Sequence, residues 1–324
     1  MSQSIDTPQF KPEVPTLDAP YTHLAAYQFG PLSDLRPLRE RLQKVCADLA
    51  LKGTILVSQE GLNLFVAGLP DSIAGLLAEI RTLPGFETFD GKYNPCDHQP
   101  YNRMLVRLKK EIISFGIDGI DPARRTSPKL KPAELKQWLD EGRPVTLLDT
   151  RNDYEIKLGT FQNALTLPLA KFRDFPDAVR QLPAELKDQP IVMFCTGGIR
   201  CEKAGPFMEQ EGFKHIYQLE GGIVTYAERH GDAHWEGDCF VFDDRMMIPV
   251  GRSAEREPIG RCAHTGVPTR NVINCLHDPC HRMFLSATEA IAQDPDHRLC
   301  PDCRRAGLTS ATADYLGSPV RARA

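Results

Sequence analysis

The sequence lacks long hydrophobic runs and an excess of basic charge. No stretch of its 324 residues approaches the ~18 apolar residues of a membrane-spanning helix, and 39 Lys and Arg face 43 Asp and Glu. We therefore expect no membrane partner. The chain as a whole also lacks the strong basic charge of dedicated nucleic-acid binders. A Gly-x-Gly-x-x-Gly fingerprint is also absent, so no flavin or nicotinamide site is expected.

The N-terminal segment and the cysteines indicate the compartment. Residues 1–20 contain four prolines and no continuous apolar core, which predicts a disordered tail and not a signal peptide. Residues 311–324 are assigned to a second tail. We therefore expect a cytoplasmic protein, in which thiols stay reduced. The ten cysteines are then interpreted as metal ligands or reactive thiols and not as disulfides.

Alternating strand-like and helix-like segments predict an α/β chain with three domains. Residues 21–116 follow the order βαββαβ of a ferredoxin-like α+β domain, whose last strand is expected in the segment that begins at Arg103. A linker over 117–131 leads to a second alternation over 132–235, which predicts a parallel sheet covered by helices on both faces. Residues 236–310 carry too little periodic apolar sequence for a core of their own, so a metal cross-link is the natural substitute.

The segment IVMF-CTGGIR-CEKAG places Cys195 between a strand and a helix. Glycines let several backbone N–H groups point inward, and the helix adds the positive end of its dipole. Arg200 adds a fixed positive charge, so a lowered thiol pKa and a nucleophilic thiolate are predicted, against the alternative of a buried structural cysteine. Arg200 lies one residue short of the Cys-x5-Arg spacing of cysteine phosphatases, which disfavours that class. The loop between the two residues comprises Thr196, Gly197, Gly198 and Ile199.

Three landmarks around this loop resemble the rhodanese family over roughly residues 132–235. They are the Asp-x-Arg-x-x-x-Glu pattern in LLDTRNDYEIKLG, the cysteine loop itself, and the Gly-Gly of QLEGGIVTY. The resemblance implies that Cys195 carries a persulfide or attacks a substrate. By family position Asp149, Arg151 and Glu155 form a framework beside the loop, and a structural ion-pair cluster is their expected role.

A wider resemblance joins CTGGIRCEKA, the upstream segment GTILVSQEGLNLFVAG and a C-terminal cysteine cluster. Together, over most of residues 22–305, they resemble the rhodanese-containing tRNA uridine hydroxylase family. The resemblance implies formation of 5-hydroxyuridine at the wobble position of tRNA, with molecular oxygen as co-substrate. We hypothesise that Cys195 adds to uracil C6, or activates oxygen through a sulfur-centred species, while Arg200 stabilises the developing anion. Cys201 is either a resolving thiol or a packed helix residue.

Two other functions stay open on the sequence. The same loop suits a sulfurtransferase that moves sulfane sulfur from thiosulfate or a persulfide donor. The N-terminal domain and the cysteine-rich region favour a macromolecular substrate, because a small-molecule sulfurtransferase needs neither. The third possibility is a non-catalytic, zinc-containing RNA-binding module. The sequence leaves the oligomeric state open.

Five cysteines fall within 42 residues near the C-terminus. One Cys-x2-Cys pair and one pair with a wider spacing can reach a single tetrahedral ion. The resemblance implies a further Cys-x2-Cys pair at the start of this region, but Thr265 occupies its second place and leaves Cys262 in reserve. The expected ligands of a structural zinc ion are Cys275, Cys280, Cys300 and Cys303.

A basic strip spans residues 103–131, where eight Lys or Arg face three Asp or Glu. Such a strip can neutralise phosphates and position an anticodon arm, although a solvated charged face is the common alternative. The resemblance to a tRNA-modifying family favours tRNA as the partner. The residues assigned to this contact are Arg103, Arg107, Lys109 and Lys110.

Overall fold

A computed structural model describes residues 14–15 and 17–313, so most of both predicted tails, 1–20 and 311–324, lies outside the described residues. The chain divides into two compact units, one that ends at Arg125 and one that begins at Thr126. This division falls inside the predicted linker. Among the helices that the structure describes, none is long and apolar enough to traverse a lipid bilayer.

The N-terminal unit is a five-stranded sheet with two helices. Its strands are ordered β4-β1-β3-β2-β5, and β5 runs parallel to β2 whereas the other pairs are antiparallel. The apolar faces of both helices join the buried face of the sheet in one hydrophobic core. The elements are β1 (Tyr21–Phe29), α1 (Leu35–Asp48), β2 (Lys52–Ser58), β3 (Gly61–Gly68), α2 (Pro70–Ile80), β4 (Lys92–Cys96) and β5 (Met104–Leu108).

The ferredoxin-like order is confirmed, but its fourth strand lies in a different segment from the one predicted. β4 occupies the outer position beside β1, whereas the segment that begins at Arg103 supplies β5 at the opposite edge. β4 has the sequence KYNPC, in which only Cys96 is buried. An edge strand tolerates Pro95 and needs no apolar alternation, so no pattern marks it in the sequence.

The second unit contains the predicted parallel sheet, with strands ordered β6-β11-β10-β7-β9. Residues 191–194 of the central strand are all buried, as helices on both faces require. The elements are β6 (Lys129–Leu130), α3 (Pro132–Asp140), β7 (Thr146–Asp149), α4 (Asp153–Ile156), β8 (Gly159–Phe161), β9 (Leu165–Thr166), α5 (Phe175–Arg180), β10 (Pro190–Phe194), α6 (Ile199–Gln210), β11 (His215–Leu219) and α7 (Gly222–His230).

The cysteine-rich region belongs to this second unit and packs against its parallel-sheet part. Phe240, Val272 and Leu285 bury their side chains against Tyr154 and Leu158 of the parallel-sheet part. This shared cluster compensates for the shortage of apolar residues noted in the sequence. The elements are β12 (Trp235–Gly237), which pairs with β8, then β13 (Cys239–Phe240), β14 (Met247–Ile248), β15 (Val272–Asn274), β16 (Met283–Leu285), α8 (Thr288–Gln293) and α9 (Pro301–Arg305).

Candidate functional site

Cys195 lies at the carboxyl end of β10, and the loop that follows curls around its sulfur. Gly198 has a φ of +104°, a backbone conformation that favours glycine. Its N–H donates a hydrogen bond of 3.1 Å to Cys195 Sγ. Helix α6 begins at Ile199, so the positive end of its dipole faces the loop. The strand, turn and helix predicted from the sequence therefore form a cradle of donors around one thiol.

Helix α7 approaches this loop from its other side. The N–H of Ile223 donates to Cys195 O at 3.0 Å, and the N–H of Val224 donates to Thr196 O at 3.1 Å. Gly222 has a φ of +66°, and a Cβ at this position would lie 2.4 Å from Cys195 O. The Gly-Gly of QLEGGIVTY thus permits a backbone contact that holds the loop.

The environment of the thiol favours its ionised form. Burial opposes ionisation, but a hydrogen bond from Cys201, the charge of Arg200 and the N–H groups of Arg200 and Gly198 lower the pKa of Cys195 to about 6. Burial and the neighbouring Cys195 raise the pKa of Cys201 well above its ordinary value, so Cys201 keeps its proton and acts as the donor. The hydroxyl of Thr150 lies 3.8 Å from Cys201 Sγ. At neutral pH the Cys195 thiolate therefore predominates.

Glu155 holds both the guanidinium and the loop in place. Its Oε1 accepts hydrogen bonds from Arg200 Nη2 at 2.9 Å and from Thr196 Oγ1 at 3.3 Å, and its Oε2 accepts one from the N–H of Asn152 at 3.1 Å. Arg200 is 5% exposed. Its Nη1 is buried and has no hydrogen-bond partner among the described residues, so this donor can serve an anionic oxygen beside the thiolate.

Asp149 and Arg151 form a fully buried ion pair beneath the loop. Arg151 donates to both carboxylate oxygens of Asp149, at 2.9 and 2.6 Å, and also to Gly159 O at 2.6 Å. Asp149 is the register partner of Phe194, the residue before the cysteine. The structure thus brings Asp149, Arg151 and Glu155 together beside the loop in two buried ion pairs, Asp149–Arg151 and Glu155–Arg200.

The thiol is closed off from solvent. Cys195 is 1% exposed. Above the neighbouring Arg200 lies the ring of Phe242, with its centroid 5.7 Å from the guanidinium carbon. Sequence reasoning missed Phe242 and Thr150, because neither belongs to a periodic pattern or a spaced motif. Their proximity to the loop arises from tertiary packing alone.

Four C-terminal cysteines converge on one point. The sulfur atoms of Cys275, Cys280, Cys300 and Cys303 all lie within 4.8 Å of one another. The sulfurs of Cys280 and Cys300 are 3.6 Å apart. Tetrahedral zinc, with Zn–S bonds of about 2.3 Å, separates its sulfur ligands by about 3.8 Å. The cluster can therefore bind a metal such as zinc.

Cys262 lies outside this cluster. Burial opposes its ionisation, but the side chain of Thr265 and the backbone N–H groups of Ala287, His264 and Thr265 donate to its sulfur and lower the pKa of Cys262 to about 7. Thr265, which stands where the resemblance implies a second cysteine, thus serves as a hydrogen-bond donor to the first. The imidazole of His264 contacts Leu299 O at 2.9 Å and stacks on His297.

The basic strip is exposed but divided between the two units. Its residues up to Arg125 belong to the N-terminal unit, whereas Lys129 and Lys131 belong to the second. Lys129 pairs with Glu202 at 3.0 Å. On and beside the edge strand β5 the strip presents the exposed side chains of Arg103, Arg107, Lys109 and Lys110.

Comparisons with known proteins match three segments of this chain. Residues 21–112 match the UPF0176 acylphosphatase-like domain, 131–229 the rhodanese-like domain, and 236–304 the rhodanase C-terminal region. A tRNA uridine(34) hydroxylase of Cupriavidus taiwanensis is 48% identical over 231 residues, which are 70% of this chain and 82% of that protein. One of Xanthomonas campestris is 44% identical over 253 residues, 76% of this chain and 98% of that protein. The rhodanese-like domain of an Anabaena protein matches with a TM-score of 0.29 and 24% identity, over 35% of this chain and 80% of that one.

Proposed function

This chain belongs to the tRNA uridine(34) hydroxylase family, and we propose that it converts the wobble uridine of tRNA to 5-hydroxyuridine at Cys195. The observation that carries the proposal is the thiol itself. Its pKa is lowered to about 6 in a cradle of backbone donors beside Arg200. A thiolate at neutral pH can act as the nucleophile that adds to uracil C6 and activates C5.

Uracil C5 is a weak nucleophile, and addition of a nucleophile to C6 makes it a strong one. In the proposed step the Cys195 thiolate forms a bond to C6, and the electron pair of the C5–C6 double bond moves toward O4 to give an enolate. Arg200 Nη1, the buried donor without a hydrogen-bond partner among the described residues, and the N–H groups of the loop stabilise this negative charge.

The enolate then passes an electron pair from C5 to an electrophilic oxygen derived from O2. Loss of the C5 proton restores the double bond and expels the thiolate from C6. Overall, uridine, O2, two electrons and two protons give 5-hydroxyuridine and water, with the electrons supplied by a cellular reductant. Cys195 is regenerated, so the cysteine acts as a catalyst and is not consumed.

The test is the nucleoside content of tRNA in a bacterial strain that lacks its own tRNA uridine(34) hydroxylase. We expect this chain to restore 5-hydroxyuridine, measured by mass spectrometry, and Cys195→Ala to abolish it with Cys201 intact. Cys46→Ala removes a buried cysteine from the other unit and is the matched control. Normal modification with Cys195→Ala would discard the role of this sulfur.

A thiosulfate:cyanide assay on the purified protein addresses the sulfurtransferase alternative. The cradle around Cys195 would stabilise a persulfide anion as well as a thiolate, because both are anionic sulfur species. Sulfur transfer without restoration of 5-hydroxyuridine would favour that alternative. Restoration of the nucleoside without sulfur transfer would exclude it as the cellular role.

We propose that tRNA binds through the basic side chains on and beside β5. All four are exposed, and Lys110 pairs with Asp118 at 3.5 Å in an exposed ion pair that gives little stability. Replacement of Arg103, Arg107, Lys109 and Lys110 by Gln should weaken tRNA binding and reduce the salt dependence of the affinity by about 0.7–0.9 logarithmic slope units for each lost phosphate contact. An unchanged slope would show that other residues make the phosphate contacts.

We propose that the four-cysteine cluster holds a structural zinc ion. Four thiolates and no exposed ligand position fit a structural site better than a catalytic one, because a catalytic zinc keeps one position for water. Three of the cysteines are buried and Cys280 is partly buried. Elemental analysis of the purified chain should give one zinc per chain.

A further inference from the structure

A row of three aromatic rings ends directly above the proposed catalytic arginine. Tyr154 packs edge-to-face on Phe240 at 5.1 Å, and Phe240 packs edge-to-face on Phe242 at 5.0 Å. The first two rings are buried, whereas Phe242 is 41% exposed. The ring of Phe242 therefore lies between solvent and the Arg200 guanidinium.

The loop that carries Phe242 is internally braced. It joins β13 to β14, and the N–H of Val241 donates to Met246 O at 3.1 Å. Arg245 donates to both carboxylate oxygens of Asp243, at 2.8 and 2.6 Å, and Asp243 is 7% exposed. The hairpin loop is thus held by its own polar contacts, and these contacts fix the backbone that carries the Phe242 ring.

The substrate needs an entry that the present arrangement closes. Cys195 is 1% exposed, so a uracil ring cannot reach its sulfur until a covering group moves. The guanidinium carbon of Arg200 and the ring centroid of Phe242 are 5.7 Å apart. A base stacked on the Phe242 ring lies about 3.5 Å from it, so the ring must move away from the guanidinium to admit the base. Phe242 is 41% exposed, so its side chain has room for this movement.

We propose that the target uracil stacks by one face on the Phe242 ring, with a carbonyl edge toward the Arg200 guanidinium and its other face open to the Cys195 sulfur. The inference rests on the proposed function and names Phe242 as the residue that positions the base. Aromatic rings and guanidinium planes are the surfaces on which unpaired RNA bases stack. A base in this position replaces the existing contact between ring and cation with a stacking contact on Phe242 and hydrogen bonds from Arg200. Arg200 also donates its own backbone N–H to the Cys195 sulfur, so the base lies beside the thiolate.

The test compares two RNAs and four proteins by equilibrium binding. The RNAs are an unmodified tRNA with uridine at position 34 and the same tRNA with an abasic residue there. The wild-type chain should bind the uridine form about tenfold more tightly, as stacking of one base on an aromatic ring supplies. Phe242→Leu keeps an apolar side chain without a ring and should lose most of this difference, whereas Phe242→Trp should restore it.

Val267→Ala is the matched control, because Val267 is 44% exposed and belongs to the same unit. This variant should keep the tenfold difference, and the melting temperature of each variant verifies that it is folded. Equal binding of both RNAs by the wild type, or full discrimination by Phe242→Leu, would overturn the inference. Failure of the wild type to bind either RNA would instead count against the proposed function.

Discussion

Removal of Cys201 should make Cys195 harder to ionise. The Cys201 thiol is fully buried, stays protonated and donates a hydrogen bond to the Cys195 sulfur. A hydrogen bond to a charged group contributes about 1.5–3 kcal/mol, and one pKa unit corresponds to about 1.4 kcal/mol. In Cys201→Ala the pKa of Cys195 should therefore rise from about 6 by roughly one to two units.

The alkylation rate of Cys195 should rise with pH, because only the thiolate reacts and it predominates only above the pKa. At a pH near 6 about half of the wild-type Cys195 is ionised, whereas in Cys201→Ala the ionised fraction falls to about a tenth or less. Alkylation by iodoacetamide, which requires the thiolate, should slow about fivefold or more at this pH. The alkylation rate of the Cys195 peptide, followed by mass spectrometry from about pH 5 to about pH 9, gives the midpoint of the titration of this thiol.

Two variants separate the hydrogen bond from a general packing effect. Cys201→Ser keeps a donor and should leave the midpoint close to that of the wild type. Cys46→Ala removes a buried cysteine of the other unit and should have no effect on Cys195. A midpoint that is the same in Cys201→Ala and the wild type would refute the reasoning, because the pKa of Cys195 would then owe nothing to this donor.

Three further outcomes are expected. Asp149→Ala should destabilise the second unit by about 3–5 kcal/mol in denaturant unfolding, because it leaves the buried Arg151 charge without its partner; a loss below about 1 kcal/mol would contradict this. Cys300→Ser should remove the zinc from elemental analysis, and an unchanged zinc content would assign the ion to other residues. Gly222→Ala should lower the melting temperature and slow alkylation of Cys195 at neutral pH, because its Cβ would displace the backbone of the loop; unchanged values of both would show that the loop tolerates the contact.

The parallel sheet and the cysteine loop are predictable from the sequence because both depend on local chemistry. The apolar run of β10 requires burial on both faces, and the glycines after Cys195 permit the turn that brings N–H groups to the sulfur. β4 escapes prediction because an edge strand with Pro95 has no apolar alternation. The position of the Phe242 ring over Arg200 depends on tertiary packing of its loop, and no spacing rule along the chain encodes that.

The ladder of β15 and β16 links two distant parts of the second unit. β15 ends at Asn274, and Cys275 follows directly. Val272 of β15 and its partner Leu285 of β16 pack in the same buried cluster as Tyr154. Tyr154 is the chain neighbour of Glu155, the anchor of the Arg200 guanidinium. A chelator that removed the proposed zinc ion would thus loosen the packing behind Tyr154 and disturb the anchor of Arg200, although chelators do not react with the Cys195 sulfur.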